Sequence, residues 1–225
     1  MQDLQLCEQS KCPEVSVHYI QAKADEPNAA QINELIQSQV GYMISGAVLP
    51  EGASILEIEP AVKAFVKNFQ DYYGDFPEDA LTYELEIENR LSYSNEDLIS
   101  IQTTYYAYTG GAHGYGTMEY LIIDPEKGTL ITLEDLIEDV DGFKAFAEEK
   151  FKADNGIDAN ADVSDGIYYF EDDVFYLPAV YGFTEDGMEF YFTTYEIGSY
   201  ADGPVTLAFS WEEIEPWLSI PVPAS

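Results

Sequence analysis

The chain is short of positive charge, histidine and cysteine, and it has no long apolar run. Nine Lys and Arg stand against 43 Asp and Glu, a net charge of −34 at pH 7. A field of that sign repels phosphate backbones and anionic lipid surfaces, which argues against nucleic acid as a partner. Cations and basic proteins are the natural partners; the plainer reading is that the acids keep the protein soluble. The bases also run out along the chain. From Ala153 to Ser225 there are 15 acids and no Lys or Arg. The two histidines are His18 and His113. A zinc hydrolase needs several nitrogen or sulfur ligands near His113, and His18 stands in no ligand spacing to it. No GxSxG is present to place a nucleophilic serine on a sharp elbow. The two cysteines, Cys7 and Cys12, lie in CEQSKC, too little sulfur for a metal site. A small disulfide loop made in an oxidising compartment is expected, with two free thiols as the alternative. No segment reads as a transmembrane span or signal peptide. LQLC at Leu4–Cys7 is not read as a lipid-attachment site, because no apolar run precedes it.

Hydrophobic residues make up 46% of the chain, with 18 Tyr and 12 Phe, which argues for a folded core in spite of the charge. Ile32, Leu35, Ile36, Val40, Met43 and Ile44 recur at helical spacing between Asn28 and Ile44. Val62, Phe65, Val66, Phe69 and Tyr73 do the same from Pro60 to Tyr73, ahead of Gly74 and Pro77. LTYELEIEN alternates with period two, with Leu81, Tyr83, Leu85 and Ile87 facing one side and Glu84, Glu86 and Glu88 the other. Leu98–Tyr108 and Gly116–Asp124 read as strands, followed by a turn at Pro125–Gly128. A short helix, Leu133–Ile137, is expected behind Thr132, then a longer one capped by Asp141 and carrying Phe143, Phe146 and Phe151. Asp154–Gly166 reads as a polar loop. FYLPAVYGFTEDGMEFYF reads as two aromatic strands joined at Glu185, Asp186 and Gly187. PVTLAFS is a last strand, and Ser210 with Glu213 forms a capping box for a short terminal helix interrupted by Pro216. The order predicts an α+β fold with antiparallel sheets and flanking helices, in two closely associated subdomains, 1–105 and 106–225.

The densest local signal is YTGGAHGYG, Tyr108–Gly116. Gly110, Gly111 and Gly114 suit a tight connection between strands, with His113 held for shape, presented to a ligand, or acting as a lone general base. Asp158, Asn160 and Asp162 have the opening spacing of a calcium loop, but Val163 stands where glycine belongs and Tyr169 where a bidentate Glu belongs. A looser calcium site drawing on Asp154, Asp158, Asp162 or Asp165 stays open, as does a solvated loop. With 43 acids, no particular pair is singled out for glycoside hydrolysis.

Two longer segments carry more than generic patterning: YYAYTGGAHGYGTMEYLIIDPEKGTLITLEDLI (Tyr105–Ile137) and FYLPAVYGFTEDGMEFYFTTYEIGSYADGPVTLAFSWEEIEPWL (Phe175–Leu218). The marks are the YTGGAHG loop, the Asp124–Gly128 turn running into LITLEDL, and FYFTTYEIGSYADGP. Together they resemble the bacterial extracytoplasmic domain of RsiV-like anti-sigma factors, whose ectodomain senses lysozyme. The same domain precedes the catalytic domain of some peptidoglycan deacetylases, and the first half resembles its usual companion domain.

The resemblance implies a mixed α+β fold outside the cytoplasm and a non-catalytic role in binding or sensing at the cell envelope. No cofactor and no metal are expected, and the ligand expected is a basic protein such as lysozyme or a cell-wall glycan. This chain carries no membrane span, anti-sigma segment or deacetylase domain, so an exported protein, or one lipid-anchored in a longer precursor, is expected. Tyr108, His113, Tyr115, Tyr195 and Tyr200 are the candidate ligand contacts. The alternatives are a carboxylate-based cell-wall hydrolase and an accessory structural protein of the envelope.

Overall fold

The structure is a computed structural model that describes residues 12–73 and 82–221. Cys7, Gly74, Pro77 and Leu81 lie outside the described residues. The chain divides into two units, Met1–Arg90 with Thr103–Thr117, and Leu91–Gln102 with Met118–Ser225. The elements are β1 (Glu14–His18), α1 (Ala29–Gly46), α2 (Ile58–Tyr73), β2 (Glu84–Ser94), β3 (Ile99–Tyr108), β4 (Tyr115–Asp124), β5 (Thr129–Leu130), α3 (Leu133–Leu136), α4 (Val140–Asp154), β6 (Val180–Thr184), β7 (Gly187–Phe192), β8 (Val205–Ser210) and α5 (Trp211–Ile214). One sheet has the order β1-β2-β3-β4-β5 and the other β6-β7-β8. The fold is α+β, as expected.

In the first unit the two amphipathic helices bury the predicted stripes. Ile32, Ile36, Val40, Met43 and Ile44 of α1, and Val62, Phe65, Val66 and Phe69 of α2, are buried. With Tyr83, Leu85, Ile87, Tyr105 and Ala107, most of them form one core. Each such side chain contributes about 1.5–3 kcal/mol by leaving water. Glycine at Gly41 lets α1 lie against the backbone of Ile55 and Leu56, where a methyl group would not fit. Nearby, the buried Ser45 Oγ accepts from the Ile55 N–H at 3.0 Å. Buried polar groups are paired: Asn89 Nδ2 donates to Thr103 Oγ1, whose hydroxyl donates to Gln39 Oε1, each at 2.7 Å. Glu86 and Glu88 face solvent. One strand was not anticipated. β1 pairs with β2 in parallel, Glu14 opposite Glu84 through His18 opposite Glu88, so the larger sheet is mixed.

The second unit is organised around phenylalanine. Phe143, Phe151, Phe170, Phe175, Phe183, Phe190, Phe192 and Phe209 are all essentially solvent-free and share one core. Phe151 alone meets the rings of Tyr168, Phe170, Phe175 and Phe192 at 5.3–5.9 Å, in the tilted and edge-on geometries aromatic quadrupoles favour. β6 and β7 form a hairpin, Thr184 opposite Gly187, and β8 completes the antiparallel sheet on the other side of β7. Thr132 caps α3 in a capping box with Asp135, and Ser210 caps α5 with Glu213.

Two local expectations need correction. The cap of α4 is Asp139, whose carboxylate accepts from the Gly142 N–H at 2.9 Å, not Asp141, which lies inside the first turn. Glycine at 142 is what lets Asp139 come so close. The first aromatic strand begins at Val180 rather than at Phe175. Pro178 has no N–H for a ladder, and Phe175 turns into the core instead. The stretch Asp154–Gly166 is a polar loop pinned near its end by the fully buried Val163 in a single 3₁₀ turn, Val163–Asp165.

Candidate functional site

The glycine loop belongs to the first unit and closes on itself. Gly110 and Gly111 have φ of 91° and 107°, a region that side chains avoid. Tyr108 Oη donates to the Gly111 carbonyl at 3.0 Å across the turn. His113 Nδ1 donates to the carbonyl of Gly114 at 3.1 Å, which places a proton on Nδ1 of the exposed ring. Gly114 serves differently: its α-carbon sits on the Tyr106 ring, and an added methyl would collide with it. Tyr115 is exposed, while burial, with a smaller electrostatic push from Tyr115, drives the neighbouring Tyr105 hydroxyl up to about 12.

Tyr195 and Tyr200 lie in the second unit, on the loop between β7 and β8. Their rings meet at 5.7 Å, and they are 57% and 44% exposed. An exposed aromatic pair needs a stiff support to remain in one place, and the loop supplies two successive turns of the same construction. In Thr193–Glu196, Glu196 Oε2 accepts from the Thr193 N–H at 2.7 Å and the Thr193 hydroxyl at 3.0 Å. In Ser199–Asp202, Asp202 Oδ2 accepts from the Ser199 N–H at 2.8 Å and from its hydroxyl. The Ser199 hydroxyl and N–H hold the Asp202 carboxyl below its ordinary range. Between the turns, Ile197 is buried and its carbonyl accepts from the Tyr169 N–H at 2.8 Å. Tyr195 itself has φ of 74°, a left-handed conformation that a bulky residue keeps only where its surroundings demand it.

Below this loop is a group of residues that the sequence did not mark. The Tyr176 hydroxyl lies near the Glu196 carboxylate; burial, then the Glu196 charge, push that hydroxyl up to about 12. Glu119 of β4 is half-buried, and burial, with the Glu196 charge second, raises its carboxyl above the ordinary range. Tyr120, on the other face of β4, donates to Glu189 of β7 and accepts from Gln102 Nε2. Its ring lies on Gly182, where a methyl group would not fit.

The structure therefore brings Tyr195 and Tyr200 together and groups Tyr108, His113 and Tyr115 on the glycine loop, in separate units. Among the described residues, no three His, Cys, Asp or Glu gather as metal ligands. Within the acidic stretch after α4, Asp158 Oδ1 accepts from the Asn160 N–H at 2.9 Å. No described helix is long and apolar enough to cross a membrane.

Comparison with known proteins follows the same division. Residues 6–115 match the family model described as deacetylase PdaC, and residues 125–212 match the one described as a protein of unknown function, DUF3298. The pairing fits a DUF3298-type domain. Two solved DUF3298 family proteins share the fold. One from Bacteroides fragilis is 19% identical with a TM-score of 0.64, over 90% of this chain and 82% of that one. One from Pseudomonas aeruginosa is 16% identical with a TM-score of 0.63, over 95% and 88%. No curated protein matches the chain.

Proposed function

We propose that the protein is a non-catalytic binding or sensing module of the cell envelope, and that its partner is a basic protein of the lysozyme kind. The observation that carries this is the exposed Tyr195–Tyr200 pair, held on a loop fixed by two carboxylate-locked turns. Rigid, exposed tyrosines offer large contact area at little entropic cost, which is why such residues anchor interfaces. The charge of this part of the chain is strongly acidic, since residues 153–225 hold 15 acids and no Lys or Arg, and it would steer a cationic protein toward the pair. The resemblance to lysozyme-sensing ectodomains points the same way, and Tyr108, His113 and Tyr115 are further candidate contacts on the glycine loop. Residence outside the cytoplasm is supported by Cys12, which is disulfide-bonded, a state that persists in oxidising compartments.

Titration of lysozyme into the wild-type protein and into Tyr195→Ala and Tyr200→Ala tests this reading. Each substitution is expected to weaken binding by about tenfold or more, the loss of one interface anchor. Unchanged affinity in both variants would remove the pair from the site. Binding of glycan fragments without binding of lysozyme would replace the protein partner with a sugar.

A further inference from the structure

The second unit uses one device four times. Thr132 with Asp135, Thr193 with Glu196, Ser199 with Asp202 and Ser210 with Glu213 each place a carboxylate on both the N–H and the hydroxyl of the residue three positions earlier. Two of the four begin helices, where this is the capping box. The other two begin no helix. They stand in tandem in the loop that carries the tyrosine pair, so their product is the loop's shape.

One of these four carboxylates also stands beside half-buried groups of the same unit. Glu196 accepts from the N–H and hydroxyl of Thr193, and Tyr176 and Glu119 lie near it. It directly follows Tyr195, the left-handed residue, and directly precedes the buried Ile197. We propose that Glu196 is the positioning residue of the tyrosine pair: by gripping the N–H and the hydroxyl of Thr193, its carboxylate holds Tyr195 left-handed and sets its ring against Tyr200. Asp202 fixes the Tyr200 turn in the same way, but the Glu196 turn is the one that holds the left-handed residue and runs straight into the buried Ile197. This rests on the reading above that the pair is the binding surface; the geometric role can be tested without it.

The test compares the full-length wild type with Glu196→Ala and Glu196→Gln, first without ligand and then with lysozyme. Amide hydrogen exchange across residues 193–203 is expected to quicken about tenfold in Glu196→Ala, while the β7 amides keep wild-type protection. Glu196→Gln keeps an oxygen for Thr193 and is expected to restore most of the protection. In the binding arm, Glu196→Ala is expected to weaken lysozyme binding about as much as Tyr195→Ala does, without touching the partner. Unchanged exchange in Glu196→Ala overturns the proposal. Equal quickening in β7 also overturns it, because Glu196 would then be a general stabilising residue. If the exchange arm behaves as stated and the wild type does not bind lysozyme, Glu196 keeps its positioning role and the proposed partner falls.

Discussion

The two units solve the same problem with different materials. The first lays two amphipathic helices on a sheet and fills the space mainly with aliphatic side chains, joined by Phe65, Phe69, Tyr83 and Tyr105. The second buries eight phenylalanines, and several of its core residues come from stretches with no regular structure of their own, such as Phe175 and Ile197. A helix stripe can lose a residue and still be held by the turns around it. A loop pinned by one ring depends on that ring. The second unit therefore ties its surface loops directly to its core, and its exposed tyrosine pair sits on one of them.

The largest expected effect separates the two cores. Phe151→Ala and Phe65→Ala should each cost about 3–5 kcal/mol in urea unfolding, as truncation of a buried ring does. Only Phe151→Ala should also loosen residues 167–176, whose Phe170 and Phe175 pack against its ring. If hydrogen exchange shows those residues equally loosened by Phe65→Ala, the two cores are not separate supports.

A smaller effect distinguishes two uses of glycine. Gly182→Ala drives a methyl group into the Tyr120 ring and should cost about 1–3 kcal/mol through overpacking. Gly111→Ala meets nothing within 4 Å, and its cost, about 1 kcal/mol, comes only from φ of 107°. Thermal unfolding ranks the two, and the reverse order would mean that Tyr120 is free to move aside.

The smallest effect is one of sign with pH. Asp135, Asp202 and Glu213 are held low, chiefly by the N–H and hydroxyl of the residue each one locks. A depressed carboxyl contributes stability that is present above its unfolded value and is lost as pH falls through the folded one. Glu119 is raised by burial and by Glu196, so its ionisation opposes folding at neutral pH and is relieved as pH falls through the raised value. Glu119→Gln should therefore raise the melting temperature at pH 7, with the gain shrinking in mild acid. A loss at pH 7 would mean that the Glu119 charge has a favourable partner.

Much of this was legible in the residues, for reasons that differ between the units. α1 and α2 announce themselves because their buried residues recur every third or fourth position, and β2 because Tyr83, Leu85 and Ile87 alternate with glutamates. β1 went unseen because EVSVH is short and its partner lies far along the chain, a parallel pairing that no local pattern marks. Aromatic content alone assigns Phe175 to a strand, because it cannot separate a strand from a buried loop. In the site, Tyr195 and Tyr200 were singled out, and the turns beneath them could have been: TTYE and SYAD repeat the spacing that marked Ser210 and Glu213 as a box. Glu119 and Tyr176 carry no such signal. They reach Glu196 only through the fold, from β4 and from the segment before β6.

The central claim is that the acidic, tyrosine-bearing unit recognises a specific basic protein rather than positive charge in general. Calorimetric titration with lysozyme at low and moderate salt, with cytochrome c as an equally basic control, tests it most directly. The account predicts saturable binding to lysozyme that survives moderate salt and no comparable binding to cytochrome c. Weak binding to both that disappears with salt would contradict it, because a net charge of −34 would then explain the attraction by itself.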